Sequence, residues 1–338
     1  SSHPFAPSLA HGAGAPSTPG LFLRRGTKQM FAGMMGRRAM PCVSQSLQQG
    51  GSAAQSVQAR NAATLKSLTL RMRSIKNMQK ITKAMKMVAA AKMRKDQKLL
   101  DTGLPFTQPV LALFQRLGAE EKPGPVTYLG VTSDKGLCGG VNSAVNKQIR
   151  LGVTDEEAKG NTAKIMMIGG KGVAGMKRLF GDRFSTTFEE VSKATWNFGT
   201  ASMIAERVIA TKPERLKVIH NEFKSMVSYN TNVKKTLTIS EAQNYDKAEW
   251  TKAMDVYSFE PSIYEVWNDL HEFYYGSMIY AAFLHATTTE TSQRMSAMEN
   301  ASKNAGEMYD KVSLQFNRAR QAKITTELCE IISGASAV

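Results

Sequence analysis

Apolar residues recur at every third or fourth position through one stretch near the start of the chain: Leu65, Leu68, Met72, Ile75, Met78, Ile81, Met85 and Val88. That spacing marks a single narrow stripe along an α-helix, the kind a coiled coil buries. Neither glycine nor proline occurs from Ala53 to Thr102, so the pattern predicts a helix from about Arg60 to Leu100. A second helical stretch closes the chain. After Pro261, the last proline, only Gly276 and Gly306 interrupt helix-compatible sequence as far as Ser333. Met298, Ala305, Val312 and Ala319 fall seven apart, with Ala301 and Met308 interleaved, which is a heptad seam. Ala281, Ala297, Ala301 and Ala305 are small enough to let a neighbouring helix approach closely.

A helix of roughly 70 residues is on the order of 100 Å long, too long to be hidden in a globule. Each long helix has one apolar stripe and outreaches whatever lies between them, so the two are expected to pair antiparallel. About 40 residues against about 70 leaves some 40 Å of the C-terminal helix projecting. Its last turns, with Leu328, Ile331 and Ile332, are largely apolar and call for an apolar socket on another protein.

Between the helices, strand and helix patterns alternate. Strand 126–132 leads through a glycine-rich turn into helix 142–150, and strand 164–169 leads into helix 173–180. Strand 183–191, helix 199–211 and strands 215–223 and 225–231 follow. The fold class expected is α/β with a long antiparallel coiled coil, an α/β sandwich being inserted between the paired N- and C-terminal helices. The divisions are a leader over 1–58, an N-terminal shaft helix over 59–101, the α/β domain over 102–260 and the C-terminal shaft helix over 261–338.

Charge sharpens this outline. The chain has 338 residues, with 44 Lys and Arg against 28 Asp and Glu, a net charge of +16. The first acid is Asp96, so the excess belongs entirely to the front of the chain. Residues 1–57 are rich in Ser, Gly, Pro and Ala, with paired arginines Arg24, Arg25 and Arg37, Arg38. This is the composition of an organelle targeting peptide, the plainer alternative being a basic tail that packs nothing. The rest of the excess lies on the first long helix, whose outer face carries Arg60, Lys66, Arg71, Arg73, Lys76, Lys80, Lys83, Lys86, Lys92, Arg94 and Lys95. Such a face can simply be solvated, but so many like charges repel one another and favour a counter-charged partner. No aromatic residue is interleaved for base stacking, so an acidic protein surface is preferred to nucleic acid.

Chemistry-bearing motifs are few. Gly170–Gly175, "GKGVAG", fits G-x-G-x-x-G between a strand and a helix, with Glu189 and Glu190 about 20 residues on. A dinucleotide-dependent enzyme is therefore a competing reading, although the motif follows the second strand and no catalytic acid or base accompanies it. "SDKGLCGG", Ser133–Gly140, lacks the Gly-Lys-Ser/Thr ending that grips phosphate and magnesium. Cys42, Cys138 and Cys329 are far apart, as are the five histidines, so neither a disulfide framework nor a metal site is indicated. No stretch approaches the roughly 20 apolar residues of a membrane span.

Three segments carry a family resemblance: 63–95 ("ATLKSLTLRMRSIKNMQKITKAMKMVAAAKMRK"), 130–142 ("GVTSDKGLCGGVN") and 287–337 ("TTTETSQRMSAMENASKNAGEMYDKVSLQFNRARQAKITTELCEIISGASA"). They resemble the gamma subunit of F-type ATP synthases, over about residues 59–338. The resemblance implies a Rossmann-like domain at the base of an antiparallel coiled coil, acting as a non-catalytic central-stalk rotor that couples proton-driven rotation to ATP synthesis, with no cofactor. It implies alpha and beta subunits around the shaft, with the tip Leu328, Ile331 and Ile332 in their apolar sleeve. It also implies a membrane ring of c subunits and small delta and epsilon subunits at the foot. Arg320 and Gln321 resemble residues that meet a beta-subunit loop, and Lys135, Met85 and Lys86 resemble the group near the acidic lever loop of beta. The segment "HNEFKSMVSYN", with Asn221, Phe223 and Lys224, and the turn "WNFG" resemble segments near the foot. The cysteine pair of many plastid forms is missing, which together with the basic leader points to the matrix side of the mitochondrial inner membrane, as a peripheral protein.

Overall fold

The structure, a computed structural model, describes residues 48–117, 124–191, 196–238, 252, 254, 256–258, 260 and 262–337. Residues 1–47, with most of the expected leader, its arginine pairs and Cys42, lie outside the described residues, and side chains of α1 are described from Leu65. Ser56–Val338 forms one compact unit.

The first helix, α1, runs Gln48–Leu117, well beyond the stretch predicted at both ends. It passes through Gly103, Pro105 and Pro109, which mark a stop in sequence. A proline inside a helix costs about 3 kcal/mol. Here the chain beyond the prolines buries Leu113, Phe114 and Leu117, each worth about 1.5–3 kcal/mol, and Phe114 stacks on Tyr274 at 3.9 Å. Tertiary burial therefore overrides the local stop signal.

The sheet comprises β1 (Val126–Val131), β2 (Ala163–Ile168), β3 (Phe184–Phe188), β4 (Arg215–Phe223) and β5 (Tyr229–Thr236). Its order is β3-β2-β1-β4-β5, with β5 alone antiparallel to its neighbour. The last strand lies several residues later than the 225–231 expected, because Lys224–Ser228 is spent on the hairpin turn. Helices α2 (Val141–Ala158) and α3 (Gly170–Phe180) cover one face. On that side lie Val126, Tyr128, Ile165, Met167 and Ile219, while Leu129, Val131, Met166, Ile168, Leu216 and Val218 face the other way. This two-residue alternation is the strand periodicity visible in sequence.

The second face is covered by α4 (Phe198–Ala210) and by the last helix, α5 (Ile263–Ala335), with the end of α1. Trp267, Tyr274, Tyr275, Met278, Ile279, Ala282 and Phe283 of α5 belong to this core. The lower half of α5 is thus an interior element of the α/β domain, and only its upper half is a shaft. At 70 and 73 residues the two long helices are also nearly equal, which corrects the expected mismatch.

One buried ionic cluster ties the far end of the sheet together. Glu156 of α2 accepts from Arg215 Nη2 at 3.1 Å, Lys217 Nζ at 2.8 Å and Asn161 Nδ2 at 2.8 Å. Burial alone would raise its pKa, but the bonds from Lys217, Asn161 and Arg215 outweigh burial and hold the carboxyl at about 2. Because the folded pKa is the lower one, the stabilisation is present above the ordinary value of 4.5 and is lost as pH falls from there towards 2. Glu156→Gln is expected to cost about 3 kcal/mol in urea unfolding at pH 7, since it leaves two buried cations unpaired. The deficit relative to the native chain should shrink as the pH of the titration is lowered through 4.

Candidate functional site

The shaft is an antiparallel pair whose seam on α1 follows a strict 4-3 alternation. Leu68, Met72, Ile75, Gln79, Thr82, Lys86, Ala89, Met93, Asp96, Leu100, Gly103 and Thr107 are all buried or half-buried. On α5 the matching set is Met298, Ser302, Ala305, Tyr309, Val312, Phe316 and Ala319. Register is set by Lys86 Nζ to Glu299 Oε1 at 2.7 Å, by Thr288 Oγ1 to the Asp96 carbonyl at 3.3 Å, and by Gln79 lying opposite Gly306. Leu68, Met72, Ile75, Ala305, Tyr309 and Val312 make an apolar clasp at the upper end. Between that clasp and Ala89 the seam is polar: Gln79, Thr82 and Lys86.

The expected stripe therefore leaves the seam after Ile75. Met78, Ile81 and Val88 are 57%, 58% and 70% exposed. They are one residue, or about 100° of helix rotation, away from the true seam positions. On α5, Met298, Ala305, Val312 and Ala319 are seam positions, but the interleaved ones are Ser302 and Tyr309, one residue past Ala301 and Met308. Lys66, Arg71, Arg73, Lys76, Lys80, Lys83, Lys92, Arg94 and Lys95 are exposed, forming a basic wall beside the displaced apolar stripe.

Below the shaft, the segment Thr287–Arg294 of α5 grips two loops of the α/β domain. Ser292 Oγ donates to the Met226 carbonyl at 2.5 Å, and Gln293 Nε2 donates to the Val227 carbonyl at 3.2 Å. Thr289 Oγ1 donates to the Asn221 carbonyl at 3.4 Å. Arg294, paired with Glu290, donates to the carbonyls of Gly136 and Lys135. Together these form a collar around α5 at the carboxyl ends of β1 and β4.

That collar occupies the crevice where an open α/β sheet of this order takes a nucleotide. Phe283, Thr287 and Glu290 fill it, leaving about 20 Å³, room for one water. Two of the three glycines of "GKGVAG" are packed against neighbouring side chains. A Cβ at Gly172 would collide with Thr132, and one at Gly175 would collide with Asn146 Nδ2. Gly169, just before α3, has φ +101°, a conformation glycine adopts freely. At the N-terminus of α3, where a phosphate would sit, Asp134 Oδ1 accepts from the Gly170 amide at 3.0 Å. The other glycine-rich turn is satisfied from within: Ser133 Oγ donates to the Lys135 carbonyl at 2.8 Å, and Cys138 is buried beside Asn142.

The residues expected to meet partners fall into separate groups. Lys135 is exposed on the loop held by Arg294, and Arg294 is five residues, about 7.5 Å of helix rise, from Glu299. The structure so brings Lys135 near the level of Met85 and Lys86, with Lys86 already engaged by Glu299. Arg320 and Gln321 are exposed on the upper part of α5, as are Leu328, Ile331 and Ile332. Asn221 is not available as a foot contact: it is buried, donating to the Val141 carbonyl and accepting from Thr231. Phe223 and Lys224 lead into a hairpin held against the shaft at the collar, the same end as the Lys135 loop. The turn "WNFG" is lower, where Phe198 packs edge-on against Phe106 and Tyr280. Glu299 and the collar donors Ser292, Gln293 and Arg294 went unremarked in sequence. The signal for the collar donors was a polar run, "TTTETSQR", inside a helix whose N-terminal flank is buried.

Comparison with known proteins places this arrangement. The family model described as ATP synthase matches residues 64–338. The chain is 39% identical over 281 residues to the mitochondrial ATP synthase F(1) complex subunit gamma of Rattus norvegicus, covering 82% of this chain and 100% of that one. It is 41% identical over 286 residues to the mitochondrial ATP synthase subunit gamma of Drosophila melanogaster, covering 83% and 93%. Among solved structures, a chain of the central stalk and c-ring of the Tetrahymena thermophila mitochondrial ATP synthase matches with a TM-score of 0.53 at 31% identity, covering 66% of this chain and 99% of that one. A chain of the Euglena gracilis mitochondrial ATP synthase shares the fold, with a TM-score of 0.66 at 19% identity, covering 82% and 95%.

The polar stretch of the seam is open to a direct check. Among the described residues Thr82 Oγ1 bonds only to the Met78 and Gln79 carbonyls of its own helix, so Thr82→Val orphans no donor among them. Urea unfolding of the full chain should show a gain of about 0.5–1 kcal/mol, the cost of a polar group at a seam position. A loss of stability would mean that the hydroxyl has a role in the pairing.

Proposed function

Because this chain belongs to the ATP synthase gamma-subunit family, we propose that it is the central-stalk rotor subunit of a mitochondrial F-type ATP synthase and acts without catalytic groups of its own. The work of such a subunit is differential contact: turning inside a ring of like subunits, it presents each with a different surface, and each site changes affinity accordingly.

The observation that carries this reading is the chemical asymmetry of the shaft. Around its axis, α1 offers a basic wall with an apolar stripe, whereas α5 carries Glu299, Glu307 and Asp310 interspersed with Lys303 and Lys311. A symmetric rod would bias no subunit against another. The collar supports the same reading, because it fixes the α/β domain to α5 through four side chains, Thr289, Ser292, Gln293 and Arg294, the last held by Glu290, rather than through a flexible linker.

On this reading the alpha and beta subunits surround the upper shaft and the c-ring and the small stalk subunits lie at the base. Arg320, Gln321, Lys135 and Met85 contact beta subunits, Leu328, Ile331 and Ile332 sit in an apolar sleeve of the alpha and beta subunits, and Lys86 contributes through its pair with Glu299. No helix among the described residues is long and apolar enough to cross a membrane, which fits a peripheral subunit on the matrix face of the inner membrane.

Exposed ionic contacts are each worth about 0–1 kcal/mol, so single losses should be graded. Arg320→Ala combined with Gln321→Ala is expected to lower coupled ATP synthesis in inner-membrane vesicles several-fold while leaving the melting temperature of the chain unchanged. Full synthesis with a lowered melting temperature would overturn the assignment of these two residues. Native mass spectrometry of the extracted complex should find one copy of this chain among three alpha and three beta subunits, and its absence from that assembly would overturn the rotor reading itself.

A further inference from the structure

Two histidines that the rotor reading does not use face each other where the sheet meets the shaft. His220 lies on β4, with only 1% of its surface exposed, and His285 lies buried on α5. Their ring centroids are 6.1 Å apart and the planes are tilted by 33°. Neither ring nitrogen of His220 has a hydrogen-bonding partner among the described residues, and His285 Nδ1 has none. An unbonded polar ring in such a place costs stability that a phenyl ring would not. The pair therefore reads as something other than packing.

We propose that His220 and His285 form an acid-sensitive latch between the β4–β5 hairpin and the shaft, closed while both rings are neutral and driven open when both take up protons. Two imidazolium ions at this separation repel each other in a buried setting and neither can be solvated without lifting the hairpin from α5. The surroundings offer little relief. Lys234 on β5 opposes protonation of both rings. Glu222 on β4 favours it only at His285 and is already bonded to Asn232 of β5. On α1, the buried titratable group at this level is Asp96, whose carbonyl takes the Thr288 hydroxyl.

Burial lowers both pKa values, that of His220 to about 3. With the folded values below the free value of about 6.5, the closed state excludes protons that the open state binds, so the latch weakens as pH falls below 6.5. Between pH 7.5 and 5.5 His220 alone favours opening about tenfold, and His285 adds to this in the same direction. In a rotor, acidification would release the hairpin side of the collar and leave the α/β domain held by the Arg294 side alone. That last step rests on the rotor reading, whereas the latch itself does not.

The test is amide hydrogen exchange in the full chain, following Leu216–Phe223 and Tyr229–Thr236 between pH 7.5 and 5.5 after correction for intrinsic exchange rates. The opening equilibrium should rise by more than about tenfold between pH 7.5 and 5.5; His220→Phe should remove about tenfold of that rise, and His285→Asn should lower it in the same direction. His271, tethered to the Leu237 carbonyl, is present in every variant and sets the background. If one variant fails to fold, the other gives the same comparison. A native slope that neither substitution changes, or a flat native profile, overturns the proposal; neither result touches the subunit stoichiometry on which the rotor reading stands.

Discussion

The antiparallel register of α1 against α5 is the constraint from which the other features follow. A two-stranded coil holds its seam at 3.5 residues per turn, while an undisturbed helix turns every 3.6. Once Ile75 is packed against Ala305 and Val312, every later seam position on α1 is dictated by the partner helix, whatever residue occupies it. Polar side chains are consequently drawn into the seam at Gln79, Thr82 and Lys86. Apolar ones at Met78, Ile81 and Val88 are turned out beside the lysines. The same register delivers Asp96 to Thr288 and Gly103 to Leu284, and so seats the α/β domain at one level of the shaft.

This also explains how far the sequence could be read. The strands and domain helices were legible because each has one apolar face and its own turn chemistry, so local pattern and tertiary role agree. The ends of α1 were not, because Pro105 and Pro109 argue locally for a stop that Leu113, Phe114 and Leu117 overrule only once the domain is assembled around them. The seam failed at one step: from Ile75 the apolar residues advance by three and three, to Met78 and Ile81, where the coil requires four and three. Nothing in either helix alone records that difference.

Among the candidate site residues, exposure at Lys135, Arg320 and Gln321 followed from their place on a loop or an outer helical turn. Asn221 was misplaced for a physical reason. It alternates with His220 along β4, and the alternation puts it on the α2 side, where the Val141 carbonyl takes its amide. The glycine-rich turn that imitates a dinucleotide site is similarly a packing solution. Its glycines admit Thr132 and Asn146, and Asp134 supplies the negative charge that the N-terminus of α3 favours.

The displaced apolar stripe has a consequence for the life of the chain before assembly. An isolated copy would carry Met78, Ile81 and Val88 in water, next to a wall of positive charge and below an apolar tip. Such a surface is adhesive towards membranes, nucleic acids and other unfinished subunits. Its persistence in the cell is then set by how quickly partners cover it, by mass action, more than by the folding free energy of the chain. On the rotor reading, the time a copy spends uncovered therefore matters to it more than a small change in its own stability.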